Sequence, residues 1–258
     1  MDHQSRELTQ KIHHAVDIIR GSTKSVVLTG AGISTPSGIP DFRSSGTGLW
    51  SRYDPFEYAS INAFRHHPQK FFDWMRPLAK LIQAAEPNAA HIGLAQLENA
   101  GFLQTVITQN IDGLHQRAGS RNVLEVHGTF TSLTCVRCFH KYDSRDFVQS
   151  YLEQGEIPHC PDCECILKPD VVLFGEQLPH QAWLGAHEAS KSCDLMIAAG
   201  SSLEVLPVAA LPVRALDHGA RLIVINQMET YIDVRADIVF GDDVAKIIPL
   251  IVREVIDG

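Results

Sequence analysis

Val26-Val27-Leu28-Thr29 runs straight into Gly30-Ala31-Gly32-Ile33-Ser34. A short aliphatic, β-branched run bounded by glycines reads as a strand followed by a tight turn. Runs of the same kind recur at Val106-Ile107, Val123-Leu124, Val171-Val172-Leu173, Leu195 to Ala199, Leu222 to Ile225 and Ile238 to Phe240. Continuous apolar runs of this length fit strands covered on both faces. Helical patterns precede, separate and follow them: Leu8, Ile12, Ala15, Val16 and Ile19 lie at helical spacing, and residues 89–100 and 243–256 read the same way. Strands alternating with helices predict an α/β fold built on a parallel sheet.

Polar turns sit at the ends of four of these strands. The glycine turn follows the first, Gln109-Asn110 the second, Gly200-Ser201-Ser202 the run ending at Ala199, and Asn226 the run ending at Ile225. Open parallel sheets bind ligands beyond the carboxyl ends of their strands. The four turns therefore predict one shared crevice. Glycines there let backbone N–H groups approach a phosphate, and a helix N-terminus after the turn would favour the anion. The pattern is neither G-x-G-x-x-G nor a P-loop. Gly38-Ile39-Pro40-Asp41-Phe42-Arg43 then sets an acid, an aromatic and a base in a row after a proline. The aromatic suits a ribose or nicotinamide face, and the arginine suits a phosphate.

The chain has 258 residues, 45% hydrophobic and 20% charged, an ordinary globular composition with room for one large domain or a domain with insertions. Its 22 Lys+Arg against 30 Asp+Glu leave a net charge of -8, which argues against general binding to nucleic acid or anionic membranes. No apolar run approaches the roughly 20 residues of a membrane span, and the first residues hold no apolar signal core. A cytoplasmic location is expected. In that reducing setting, clustered cysteines point to metal rather than to disulfides.

Two stretches break the alternation. Residues 44–88 are aromatic and irregular and read as a loop followed by short helices, with the aromatics mainly packing. Residues 131–167 hold five of the six cysteines and read as an insertion. Cys135 and Cys138 form one C-x-x-C pair, Cys160 and Cys163 another, and 21 residues separate the pairs. Two such knuckles make a closed tetrahedral thiolate site for one structural zinc ion. Cys165 competes with Cys163 less well on C-x-x-C geometry, and Cys193 reads as a core residue. Between 129 and 170, four Lys/Arg face seven Asp/Glu, which disfavours a nucleic-acid role for the knuckles.

The segment GAGISTPSGIPDFR at 30–43 is very similar to the signature of the sirtuin family, the NAD-dependent protein lysine deacylases. TQNIDGLHQRAG at 108–119, EVHG at 125–128, PDVVLFGE at 169–176, GSSLEVLP at 200–207 and the Ile-Asn pair at 225–226 extend the resemblance over nearly the whole chain. The resemblance implies a Rossmann-like NAD domain formed by 1–43, 89–130 and 168–258, a cofactor loop and helical insertion at 44–88, and a four-cysteine zinc module at 131–167. NAD and the acyl-lysine would share the cleft between them. It implies transfer of acetyl from lysine to ADP-ribose: the acyl oxygen attacks the anomeric carbon, nicotinamide leaves, and a base activates a ribose hydroxyl.

By the same resemblance His127 is the base, in keeping with an imidazole that titrates near the working pH. Asn110 and Asp112 surround the nicotinamide. Gly30, Ala31, Gly32, Ser34, Asp41, Phe42, Arg43, Gln109, Ile111, Gly200, Ser201, Ser202, Asn226 and Val244 complete the NAD site. His115 braces the loop that carries Asn110. Val172, Phe174, Gly175, Glu176 and Leu206 match the edges along which an extended peptide would add as a strand. Leu206 stands where a tyrosine is usual. Family members that remove acidic acyl groups carry Tyr-x-x-Arg where this chain has Phe72 and Met75, so acetyl or longer apolar groups are expected over succinyl. The alternative reading is a protein mono-ADP-ribosyltransferase, which uses the same anomeric carbon.

Overall fold

The structure is a computed structural model that describes residues 3–42 and 48–258. Elements run α1 (His3–Gly21), β1 (Ser25–Thr29), α2 (Pro55–Tyr58), α3 (Ile61–His66), α4 (Pro68–Ala84), α5 (Ala89–Asn99), β2 (Thr105–Thr108), α6 (Leu114–Arg117) and β3 (Val123–Glu125). They continue with β4 (Gly128–Cys135), β5 (Lys141–Asp143), α7 (Val148–Gln154), β6 (Leu167–Val171), α8 (His180–Ser192), β7 (Leu195–Ala199), α9 (Leu211–Asp217), β8 (Arg221–Ile225), β9 (Ile238–Phe240) and α10 (Val244–Asp257).

Six strands form one parallel sheet in the order β3-β2-β1-β7-β8-β9. This is the doubly wound dinucleotide-binding order, with its switch point between β1 and β7. Side chains along each strand alternate between the two faces, and both faces are covered. Val27, Ile197, Ile223 and Ile225 join the core under α1, α5 and α10. Val26, Leu28, Met196, Leu222 and Val224 join the core under α8 and α9. Burial on both faces is why these strands read as unbroken apolar runs.

Three sequence readings need correction. The run 171–173 is no strand of this sheet: Val171 ends β6, which pairs antiparallel with β4 in a second sheet ordered β5-β4-β6. Both flanks of β1 are taken by β2 and β7. Pro169 sits within β6, where an edge strand tolerates a residue that lacks an N–H. Second, the helices after the loop are not all short, since α4 spans 17 residues across Pro77. Phe71, Phe72, Met75 and Leu78 form a buried stripe along it that outweighs the one lost backbone bond. Third, no α-helix follows the glycine turn. Two single 3-10 turns, Ala31–Ile33 and Thr35–Ser37, occupy the place, with Pro36 in the second and Gly38 closing it at φ 87°.

Candidate active site

The loops after β1, β2, β7 and β8 converge at the switch point. Gly32 N–H donates to the Gly200 carbonyl at 2.8 Å, Gly30 N–H to Ala199 at 3.3 Å, and Gln109 N–H to Thr29 at 3.0 Å. A Cβ on Gly32 would lie 2.8 Å from the Gly200 oxygen. The two glycine loops can therefore touch only because neither carries a side chain there. Gly200 itself has φ 60°, and a Cβ on it would meet the Ile33 nitrogen at 2.4 Å.

Side chains tie the loops together. Ser34, fully buried, donates to Asp112 Oδ2 at 2.7 Å and accepts from Asn110 Nδ2 at 3.0 Å. Asn110 N–H donates to Thr108 Oγ1, which accepts at 3.0 Å, and Gln109 Nε2 donates to Ser201 Oγ at 2.8 Å. Asp112 Oδ1 accepts from Leu114 N–H at 2.9 Å and so starts α6. Burial raises the Asp112 carboxyl above its usual range, opposed by the bonds from Leu114 and Ser34. His115 Nε2 lies 2.9 Å from Thr29 Oγ1 below the site, consistent with a bracing residue. Asn226 Nδ2 donates to the Met228 carbonyl at 2.7 Å.

His127 lies between β3 and β4. Val126 before it is buried and its N–H donates to Thr108 O at 3.0 Å. Gly128 after it has φ 81°, and a Cβ there would lie 1.9 Å from the Asp170 oxygen. Residue 128 must therefore be glycine, and the backbone delivers the His127 side chain to the cleft. The His127 carbonyl accepts from Val172 N–H at 2.8 Å, fixing the 172–176 segment beside it.

A single cavity of about 710 Å³ collects these groups. Every expected cofactor, catalytic and peptide residue within the described chain lines it, from Gly30 and Asp41 through His127 and Glu176 to Leu206 and Val244. Arg43 lies outside the described residues. The cavity also takes in Met75, matched above to the acyl-selecting position, and residues that the sequence reading assigned to packing or passed over. Trp50, Trp74, Met75, Leu78 and Ile82 form an apolar lobe, and His180 and Trp183 stand at another wall. Trp50 stacks on Trp74 with centroids 5.6 Å apart, and Phe42 lies against Trp50 at 5.3 Å. Beyond the resemblance that pointed to Met75, helical spacing in 74–82 was the signal for that lobe, and it is indistinguishable from ordinary core.

The cavity fits a dinucleotide. Its volume lies within the range of small-molecule sites, bare backbone of two glycine loops faces it, and polar groups gather at one side while apolar ones line the other. The cysteine cluster fits zinc. All four Sγ atoms of Cys135, Cys138, Cys160 and Cys163 lie within 4.8 Å of one another, and none is in a disulfide. Cys135 to Cys163 is 3.4 Å and Cys138 to Cys160 is 3.6 Å. A tetrahedron with Zn–S of about 2.3 Å has edges of about 3.8 Å. Burial resists ionisation of Cys135, yet the N–H groups of Cys138 and Arg137 outweigh it and hold the thiol down to about 6. Cys165 packs beside the cluster without joining it, and Cys193 is buried.

Fold and site together define a doubly wound nucleotide-binding protein with a thiolate metal centre on a second, smaller sheet. A model described as the Sir2 family matches residues 30–207. An NAD-dependent protein deacylase 2 from Archaeoglobus fulgidus is 46% identical over 250 residues, covering 96% of this chain and 97% of its own. An NAD-dependent protein deacetylase from Thermotoga maritima is 41% identical over 244 residues, covering 95% and 98%. A solved complex of Sir2, p53 peptide and NAD+ has a TM-score of 0.85 at 40% identity, over 94% of this chain and 98% of that one. The chain belongs to the Sir2 family, the sirtuins.

Proposed function

We propose that this chain is an NAD-dependent protein lysine deacetylase that passes the acetyl group to ADP-ribose and releases nicotinamide. The observation that carries the reading is the meeting of His127, Asn110, Asp112 and both glycine loops in one cavity. NAD supplies an electrophilic anomeric carbon with nicotinamide as its leaving group. The glycine loops let the phosphates approach bare backbone, helped by Arg43, while the N–H groups of Gly30, Gly32 and Gly200 stay bonded to protein carbonyls. Phe42 covers the ribose and nicotinamide. Asp112 holds the carboxamide, and Asn110 orders the ribose or a water beside it. Ser201, Ser202, Asn226 and Val244 take the adenosine half. His127 accepts a ribose hydroxyl proton at its imidazole. The zinc sits in Cys135, Cys138, Cys160 and Cys163 and shapes the second module without joining the chemistry.

We keep the division into a discontinuous NAD domain, a helical insertion and a zinc module as part of this proposal. Among the described residues, no helix is long and apolar enough to cross a membrane. The six free cysteines favour the reducing cytoplasm.

A second reading, deacylation of longer apolar acyl groups, draws on the lobe at Trp74, Met75, Leu78 and Ile82. A solved Sir2Af2 structure, 40% identical, holds a myristoylated histone peptide. The test is an acetyl-lysine peptide incubated with and without NAD, read by peptide mass and nicotinamide release. Loss of acetyl only with NAD supports the proposal, whereas mass gained by a protein acceptor supports ADP-ribosyl transfer. His127→Ala is expected to lower kcat by about 100- to 10,000-fold, the usual contribution of a general base. A wild-type rate in that variant removes His127 from the role.

A further inference from the structure

Glu176 belongs to the segment expected to border the peptide, yet its carboxylate is turned towards the protein. Glu176 Oε2 accepts from Leu173 N–H at 2.9 Å, and Lys168 Nζ lies 3.0 Å from the same oxygen. Glu176 N–H donates to the Leu173 carbonyl at 2.9 Å, which closes a four-residue turn over 173–176. Gly175 takes the third position with φ 89°, as a type II turn requires. The carboxylate thus closes the turn a second time, from the side-chain direction.

Lys168 holds that carboxylate. Its ammonium also donates to the carbonyls of Pro169 at 3.0 Å and Val171 at 2.8 Å, so each of its three N–H donors has an acceptor. The two side chains are only 15% and 24% exposed, so the pair is partly shielded from solvent and salt. Lys168 stands on β6 opposite Thr134 of β4, on the edge of the smaller sheet. It does not line the cavity. What it clamps does. Val172 N–H donates to the His127 carbonyl, Phe174 N–H to Ala59 O at 2.9 Å, and Ile61 N–H to Phe174 O at 3.0 Å. The turn is thereby pinned between the helical insertion and the backbone of His127.

We infer that Lys168 is a positioning residue for the acyl-lysine peptide: through Glu176 it fixes the 173–176 turn, and with it the edge on which an extended peptide lies. The inference rests on the deacetylase reading for the identity of the ligand. It assigns Glu176 to the shape of the edge instead of to direct contact with substrate. Among the described residues no hydrogen bond joins the NAD loops to the Lys168–Glu176 pair, so NAD affinity is expected to change less than peptide affinity.

The test is binding of a fluorescent acetyl-lysine peptide by anisotropy, alongside KM for peptide and for NAD, on the zinc-loaded full chain. Lys168→Gln is expected to weaken peptide binding and raise peptide KM by about tenfold, with NAD KM within about twofold. Lys168→Arg, which can still reach Glu176, is expected to stay within about threefold of wild type. Glu176→Gln and the double variant should show no more loss than Lys168→Gln alone, because the two groups act as one unit. Unchanged peptide affinity in Lys168→Gln overturns the inference. So does an equal fall in peptide and NAD affinity with a lowered melting temperature, or losses that add in the double variant. A wild-type chain that binds the peptide but does not remove acetyl with NAD overturns the deacetylase reading and leaves the clamp measurable. A wild-type chain that binds no acetyl-lysine peptide overturns both.

Discussion

His91 and His115 show how residues outside the cavity set its footing. Both are buried, with ring centroids 4.9 Å apart. His91 Nδ1 accepts from Asn88 N–H at 3.4 Å and completes the cap of α5, while His115 reaches Thr29 under the glycine turn. Among the described residues, His91 Nε2, His115 Nδ1 and Ser120 Oγ have no hydrogen-bond partner. Burial lowers His91 to about 4, and burial followed by the neighbouring His91 lowers His115 to about 3. In the unfolded chain both titrate near 6.5. The folded pKa values are depressed, so stability is complete above about pH 6.5 and falls as pH drops towards 4, because unfolding takes up protons. Each histidine contributes a slope approaching about 1.4 kcal/mol per pH unit across that window. Urea unfolding at pH 7, 6 and 5 checks this. His91→Gln should flatten the acid side by about half, and an unchanged slope would remove His91 from the account. Neither partnership was legible from sequence. His115 could be read as a brace from its motif, but His91 lies on an ordinary amphipathic helix, and its neighbour is 24 positions away.

At the scale of elements, the strands were legible wherever burial on both faces forced an unbroken apolar run, as in β1, β7 and β8. Reading failed where the same composition serves another purpose. Val171-Val172-Leu173 is as aliphatic as any strand of the large sheet, but it ends an edge strand and then supplies the proposed peptide border. The aromatic lobe failed for the opposite reason: Trp74, Leu78 and Ile82 line a cavity that hydrophobicity alone cannot separate from core. The smaller sheet is expected to depend on a metal held by its four cysteines. Around the cysteines only Leu133 and Leu167 are buried, and Val171 of β6 packs with the helical insertion instead, which is little apolar core to order three strands. One zinc per chain is therefore expected by elemental analysis. Chelation should open residues 135–165 to protease while the six-stranded sheet keeps its far-ultraviolet signal. Activity should fall with it, since β4 starts beside His127 and β6 ends beside Val172. Full protease resistance in metal-free protein would show that the sheet stands without the ion.

The whole molecule is acidic, and so is its cavity. Among the described lining residues there is no lysine or arginine, while Asp41, Asp112, Asp242 and Asp243 are acidic; Glu176 is also in the lining, but its carboxylate is paired with Lys168. On the proposed function, an anionic dinucleotide binds against this overall field, with Arg43 as its proposed cation. An acetylated lysine enters as a neutral group and meets no such conflict. A succinylated lysine brings a carboxylate. The two positions matched to Tyr-x-x-Arg hold Phe72 and Met75, both buried and apolar, and neither can pair with it. Met75 continues into Leu78 and Ile82 along α4, three cavity-lining side chains that offer alkyl contacts and no donor. Leaving a carboxylate unpaired there costs several kcal/mol, and about 2.7 kcal/mol already corresponds to a hundredfold in rate. Succinyl-peptide kcat/KM is expected at least about 100-fold below that of acetyl, with butyryl and longer unbranched chains retained. Met75→Arg should narrow the succinyl gap and weaken the long apolar chains together, because one side chain would both supply the missing cation and occupy the lobe. Comparable kcat/KM values for acetyl and succinyl peptides in the wild-type chain would show that a group other than the described walls receives the charge.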